Sequence, residues 1–517
     1  MTSQMASRHE QGDRLRSFWE HRLFLAAIVL ASAVPLLWPD VPPLTDLPGH
    51  IGRYKVQLDL HSSPSLASFY GFDWALIGNL GVDLLVIPLE KIFGLELAVK
   101  LIVVTIPPLT VAGFLWVARE VHGRVPPTAF FALPFAYGHP LIFGFVNFAL
   151  SMAFAFLAFA LWLRLARLGR FRLRAALFVP ISCLIWVTHT FGWGALGLLA
   201  FSAEAVRQHD EGKSFVRAFF GSAVQCLALA LPLLAMVAWR SGQVGGRTIG
   251  WFQWELKWRW VLMVLRDRWE WFDIGALIAV GVVLLEALRH PKLEYSRNLA
   301  ASAALLLLVF VLLPRIVFGS AYADMRLVPY VFAVALVAIR QRPRINPRYL
   351  RILALAGLAF FLARIGGNTA SFWLFDRSYD RELAALNHVP KGARLVSFVG
   401  EACGRPWMMS RLQHLPGLAI ARREAFSNDQ WVLPGAQLIS VHFPKARLFR
   451  HDPSQMVTRF RCPREPYLTA TQALAWAPRD EFDYVWLIAP PRFDPRATRG
   501  LRPVWRSGTS VLYRVER

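Results

Sequence analysis

Two arginine-rich loops, each set between long apolar runs, restrict what this chain can fold into. Residues 164–175 (RLARLGRFRLRA) and 340–351 (RQRPRINPRYLR) each hold five arginines and no acid. Short basic loops between apolar runs stay on the cytoplasmic side of a membrane. Arg289–Arg297 is a weaker third marker. Arg8, Arg14, Arg16 and Arg22 precede the apolar run 23–38 and put the N-terminus on the same side. Ala31-Ser32-Ala33 imitates a signal-peptidase site, but a retained first span is expected because the rest of the chain is membrane-like too.

Composition agrees. Hydrophobic residues make up 55% and charged residues 18%, against about 45–50% and about 25% in soluble proteins. Intrinsic disorder needs low hydrophobicity and is excluded. Gly and Pro are scattered without period and no heptad persists, which excludes fibrous and coiled-coil folds. The net charge of +23 belongs to the basic loops, and no nucleic-acid-reading module occurs. Cys183 and Cys226 lie in apolar runs and read as buried small hydrophobes. No CxxC, HExxH, Walker or GxGxxG motif stands in a suitable context.

A spanning helix needs roughly 17–25 residues. The expected spans are 23–38, 95–118, 125–139, 141–163, 217–239, 272–290, 298–314, 327–340 and 349–368. Residues 176–204, interrupted by His189-Thr190-Phe191-Gly192, are expected to form a tight hairpin of two short spans. That makes eleven. Residues 81–93 are short and charged, either re-entrant or a twelfth crossing. The expected architecture is an all-α bundle of about 11 transmembrane helices (23–369) after a cytoplasmic segment (1–22). A small α/β extracytoplasmic domain (370–517) follows. Loop 39–80, the tip 138–144, the tryptophan-rich loop 240–271 and loop 314–327 then lie outside with it. In the tail, Arg394–Val399 and Tyr484–Ile488 read as strands. Val504–Trp505, a Ser507-Gly508 turn and Ser510–Val515 read as a closing hairpin. Cys403 and Cys462 share an oxidising compartment in this topology, and a disulfide between them is expected. Two unrelated small residues are the alternative.

Charged groups at membrane level cost several kcal/mol unless they pair or face water. Under this topology they gather on the outer side: Asp46, His50 and Arg53 in TDLPGHIGR, Asn79 and Asp83 in GNLGVD, and His139 and Asn147 around the tip. His189 lies at the hairpin break, and Arg315, Asp324 and Arg326 lie in PRIVFGSAYADMR. Each has a plainer use. His139 and His189 could be interhelical hydrogen-bonders, Asp83 a helix cap, and Asp324 with Arg326 an interfacial ion pair. Asp46 sits in a rigid Pro- and Gly-rich turn with His50 four residues on, which suggests a site. Six tryptophans (251, 254, 258, 260, 269 and 271) crowd loop 240–271. Trp251, Trp254 and Trp258 are expected on one face of an interfacial helix, where they could also cover a sugar or lipid head group.

The segments Asp46-Leu-Pro-Gly-His50-Ile-Gly-Arg53, Gly144-Phe-Val-Asn147-Phe and Met325-Arg326-Leu-Val-Pro329 resemble recurrent stretches of the glycosyltransferase C superfamily. Its members are polyprenyl-phosphate-sugar-dependent membrane enzymes. The likeness runs over roughly residues 20–340. It implies a bacterial inner-membrane enzyme that moves a sugar from a polyprenyl-phosphate donor to an acceptor on the outer face, with inversion. Asp46 would be the base, His50 its helper, and Arg326 or Arg315 the phosphate clamp. Arg53, Asn79, Asp83, His139, Asn147, His189 and Asp324 would complete the substrate site. Many members carry two adjacent acids in the first loop, whereas here Asp46 stands alone between Thr45 and Leu47, so a divalent metal stays an open question. A lipid-linked-substrate transporter or polymerase, or a non-catalytic envelope-assembly protein, are the alternatives. The sugar, the acceptor and the oligomeric state are not legible.

Overall fold

The computed structural model describes residues 17–240, 247–404, 406–433, 436–463 and 465–517. Arg8, Arg14, Arg16 and part of loop 240–271 therefore lie outside the described residues.

The N-terminal two thirds is a helical bundle. Five of its helices are long and apolar enough to cross a membrane: Leu95–His122, Val146–Arg167, Phe171–Thr188, Glu270–Arg289 and the helix that begins at Pro347. The chain is an integral membrane protein. A sixth candidate span, Phe215–Leu229 with Leu231–Val237, is bent by 69°. Arg22–Ala31, Arg297–Leu312 and Met325–Val337 are apolar but shorter.

By length and composition, the described residues thus hold five such helices, or six with the bent pair, against the eleven spans expected. Residues 125–139 form no α-helical span. Pro127–Tyr137 is a 3-10 helix whose residues are all buried, because Pro126, Pro127 and Pro134 remove amide donors that an α-helix needs. Residues 81–93 form the helix Gly81–Phe93, about 20 Å long at 1.5 Å per residue and too short to cross unaided. The break at His189 is present (φ −168°, ψ 133°), but the helices it separates, Phe171–Thr188 and Thr190–Asp210, are full-length. They recruit the flanking polar residues, since arginine is a good helix former. The helix from Pro347 runs unbroken to Leu383. Trp251 lies in a turn ahead of the helix Trp254–Leu262, so it does not share a helical face with Trp254 and Trp258. All three are exposed, as Trp271 is, whereas Trp260 is buried. Cys183 and Cys226 are half-buried rather than buried.

The tail carries a six-stranded sheet: β1 (Leu395–Glu401), β2 (Met456–Thr458), β3 (Leu468–Thr469), β4 (Tyr484–Ile488), β5 (Leu501–Ser507) and β6 (Ser510–Val515). The order is β3-β2-β1-β4-β6-β5. The first four strands are parallel, and β4–β6–β5 close the sheet antiparallel through the expected hairpin. The central strands β1 and β4 read as near-continuous apolar runs, as strands buried on both faces must. Cys403 and Cys462 form the expected disulfide, with Cα atoms 5.6 Å apart.

The tail does not hang free. Residues 39–80, expected as a loop, form the helices Leu47–Asp59 and Pro64–Phe69 and a strand, Tyr70–Phe72, paired with Ile439–Val441 of the tail. Helix Leu47–Asp59 packs closely on the tail helix Gly417–Arg423. A Cβ at Gly52 would lie 2.6 Å from the Gly417 carbonyl oxygen, and one at Gly49 2.8 Å from Trp431. Buried charges fasten the rest. Arg411 donates to Asp267 at 2.5 Å and to the carbonyls of Pro43 and Ile142. Asp273 accepts from Arg364 and from the Trp407 indole.

Candidate active site

Between the end of the bundle and the tail lies a cavity of about 600 Å³. Asp46 enters it from the start of helix Leu47–Asp59, where Pro48 fits the first turn, whose amides need no helical partner. The Asp46 side chain makes no capping bond. Its backbone is stitched to the tip instead: Asp46 N–H donates to the Phe143 carbonyl at 2.9 Å and Thr45 N–H to Ile142. Gly144 makes this approach possible. It has φ +102°, and a Cβ there would stand 2.7 Å from the Asp46 nitrogen.

Arg326 faces the same cavity. The short helix that carries it is capped by Asp324, which accepts the Met325 N–H at 2.9 Å. Arg326 is 7% exposed, and its guanidinium lies over the rings of Phe145 (4.4 Å), Phe191 (5.3 Å) and Phe148 (5.7 Å). Among the described residues no carboxylate lies within 4.0 Å of it, and its Nε has no partner. His189 Nδ1 accepts the Phe191 N–H at 3.1 Å, which places the imidazole proton on Nε2. Arg326 Nη1 lies 3.3 Å from that Nε2, and its Nη2 donates to the Ala321 carbonyl at 3.4 Å, so neutral groups, not an anion, meet the fork. Arg315 lies 5.3 Å over the Tyr322 ring, also with an unpartnered Nε and no ion pair among the described residues.

Of the residues singled out in the sequence, Asp46, His50, Asn79, His139, Asn147, His189, Arg315 and Arg326 line the cavity. His139 shows two unpartnered ring nitrogens. Asn147 is also a structural node, donating to Asn79 and Asp83 and accepting the Val82 N–H. The structure does not bring Arg53, Asp83 and Asp324 to the cavity wall. Arg53 and Asp83 form a buried two-point pair, at 2.5 and 3.2 Å, within helix packing; Asp83 caps nothing. Asp324 pairs with Lys257 at 3.3 Å, not with Arg326.

The opposite wall comes from the tail and was not read from the sequence. His414 is 3% exposed. Its Nε2 lies 3.9 Å from Asp46 Oδ1 and 4.0 Å from Asp452 Oδ1, and its Nδ1 lies 3.8 Å from Asp429 Oδ2. These are ion-pair distances, too long for direct hydrogen bonds. Trp431 packs on both His414 (4.3 Å between ring centroids) and His50 (5.0 Å). Glu401, Gln413, Glu465 and Tyr467 extend the wall. Burial pushes the Asp46 carboxyl up to about 7 despite the nearby cations His414 and Arg326, with Asp452 adding to the rise. Burial opposes charge on His414, but Asp429, Asp452 and Asp46 outweigh it and hold the imidazole up at about 9. Burial, Arg53 and His414 hold His50 well below the usual imidazole range.

Among the described residues no group of three or more His, Cys, Asp or Glu side chains is placed to hold a metal ion. The acids nearest to such a set, Asp46, Asp429 and Asp452, converge on an imidazole. Their geometry does not fit a divalent cation.

No family model matches the chain, and no curated protein does. Among solved structures it is similar to ArnT from Cupriavidus metallidurans bound to undecaprenyl phosphate, with a TM-score of 0.49 at 12% identity, over 95% of this chain and 96% of that one. The same protein in the apo state gives the same TM-score and identity, over 95% and 97%.

Proposed function

We propose that this chain is a membrane glycosyltransferase of the glycosyltransferase C type. It moves a sugar from a polyprenyl-phosphate donor to an acceptor on the outer face of the membrane, with inversion. One observation carries the reading: Arg326, a buried guanidinium caged by aromatic rings and lacking a carboxylate partner, shares a cavity with the buried carboxylate Asp46. An unpaired buried charge is costly, so Arg326 is built for an anion that arrives, and a planar fork suits a phosphate. A phosphate leaving group needs charge stabilisation more than protonation, which Arg326 and Arg315 supply. Asp46 takes the proton from the acceptor hydroxyl as that oxygen attacks the anomeric carbon. The bond to the phosphate oxygen breaks, and the polyprenyl phosphate leaves with the negative charge. An ordinary carboxylate is a weak base, and one pushed up to about 7 is matched to this task near neutral pH.

The test is transfer of radiolabelled sugar from undecaprenyl-phosphate-linked donors by the purified full-length protein with extracted envelope lipids as acceptors. Asp46→Asn is expected to abolish transfer, a general base contributing about 10²–10⁴-fold, while the protein stays folded. Full activity in Asp46→Asn would overturn the reading.

A further inference from the structure

We infer that His414 is the resident cation of this site, an imidazolium set among Asp46, Asp429 and Asp452 that keeps Asp46 ionised and available as a base. The inference rests on the reading of Asp46 as base and deepens it. His414 acts on Asp46 through its charge and reaches the acceptor oxygen from the same wall.

Geometry carries it. Three buried carboxylates of like charge cannot share one small region without a counter-cation, because each would drive the others to take up protons. The group at their centre is the His414 ring, within 3.8–4.0 Å of all three. Its two nitrogens face different acids: Nδ1 toward Asp429, Nε2 toward Asp46 and Asp452. Only the doubly protonated ring presents an N–H on both sides. Glu401 also faces His414 and adds negative charge. His50 is the ionisable group on helix Leu47–Asp59 that opposes it, and it is held neutral. Arg326 is the other cation acting on Asp46, from the far wall. Nε2 and Asp46 Oδ1, 3.9 Å apart on the cavity wall, leave room for one hydroxyl oxygen within hydrogen-bond reach of both. The acceptor oxygen can therefore give its proton to Asp46 while the imidazolium steadies the charge that develops on it. Trp431, packed on His414, fixes the ring's tilt.

A protonated imidazole quenches an indole packed against it, so Trp431 reports the state of His414 without any turnover. The experiment is a pH titration of tryptophan emission in the full-length protein in detergent, for wild type, Trp431→Phe, His414→Gln and Asp46→Asn. Wild type is expected to brighten through a transition near pH 9. Trp431→Phe and His414→Gln should both lose that transition. In Asp46→Asn the midpoint should fall, because coupling between two sites is reciprocal. The fall should be at least about 0.8 pH units, the value for unit charges 3.9 Å apart in bulk water. A wild-type midpoint in the ordinary histidine range, a transition that survives His414→Gln, or a midpoint unmoved in Asp46→Asn would each overturn the inference. These outcomes are read without turnover, so a failure of this inference and a failure of the proposed function are told apart.

Discussion

Asp46→Asn should stabilise the protein as it inactivates it, and the gain should depend on pH. The Asp46 carboxyl rises from an ordinary 3.8 to about 7 in the folded chain. A raised acid binds its proton more tightly folded than unfolded. At pH below 4 both states are protonated and the group is neutral for stability. As pH climbs through the window from about 4 to about 7, the unfolded chain ionises first, and the folded state pays for holding the buried charge. The shift is about 3 units at about 1.4 kcal/mol each, so the penalty reaches about 4 kcal/mol above pH 7. That figure already includes the help Asp46 receives from His414 and Arg326. Asn removes the charge and keeps the shape, so its advantage over wild type should be close to nil at pH 4 and approach this bound at pH 8. Thermal unfolding in detergent at the two pH values measures it. An Asn variant less stable than wild type at pH 8 would show that the carboxylate is a structural partner, and the reasoning for a strained catalytic acid would fall. Loss of activity together with gained stability is the signature of a site maintained against folding.

Asp83→Asn should do the reverse: it leaves Arg53 buried without its partner and costs about 3–5 kcal/mol, read in the same unfolding assay, while activity per folded molecule holds. Arg326→Lys replaces a fork with a point charge and should weaken undecaprenyl phosphate binding about 10-fold or more in an equilibrium lipid-binding assay, with little effect on stability. Removing the disulfide by Cys403→Ser with Cys462→Ser reopens a 59-residue separation and should destabilise the tail by about 4 kcal/mol in the chain-entropy model, visible as earlier proteolysis of the tail. Gly144→Ala should lower both stability and transfer, because φ +102° strains any side chain and its Cβ would push on the Asp46 backbone.

The helical bundle was legible because its signal is local: apolar runs and basic loops are read one segment at a time. The tail strands β1, β4 and β6 were legible for the same reason. What failed was inference from length alone. Pro127–Tyr137 looks like a span but is a buried 3-10 helix, since three prolines cancel its amide donors. The cavity's bundle side could be found because a buried His or Arg is conspicuous against leucine. Even there, Arg53, Asp83 and Asp324 could not be told from Asp46 and Arg326 by residue type. Asp83 and Asp324 have partners, Arg53 and Lys257, that lie 30 and 67 positions away, and only contact shows which charges are already spent. The tail's contribution was not legible at all. His414, Asp429 and Asp452 sit in an ordinary polar stretch, and their meeting with Asp46 spans more than 360 positions. Ser427-Asn428-Asp429-Gln430 reads in the sequence as an ordinary polar run, and only the structure shows every residue in it fully buried. Such a run stays in a folded core only if something across it consumes its hydrogen bonds.

That burial explains why the tail belongs to the site rather than merely covering it. Gln430 donates to the Gly49 carbonyl, Trp431 fills the space that Gly49 leaves open, and Tyr70 bonds the Ser427 backbone. Each contact ties a tail residue to the segment that presents Asp46. The glycines at 49 and 52, spaced by about one helical turn, let helix Leu47–Asp59 and the tail approach closely, which holds His414 3.9 Å from Asp46. On the bundle side the cavity presents Arg315 and Arg326 among aromatic rings, and on the tail side Glu401, Asp452, Glu465 and Gln413 around His414. Asp46 stands between the two walls, acted on by Arg326 from one side and His414 from the other, and the proposed transfer puts the bond between sugar and phosphate beside it.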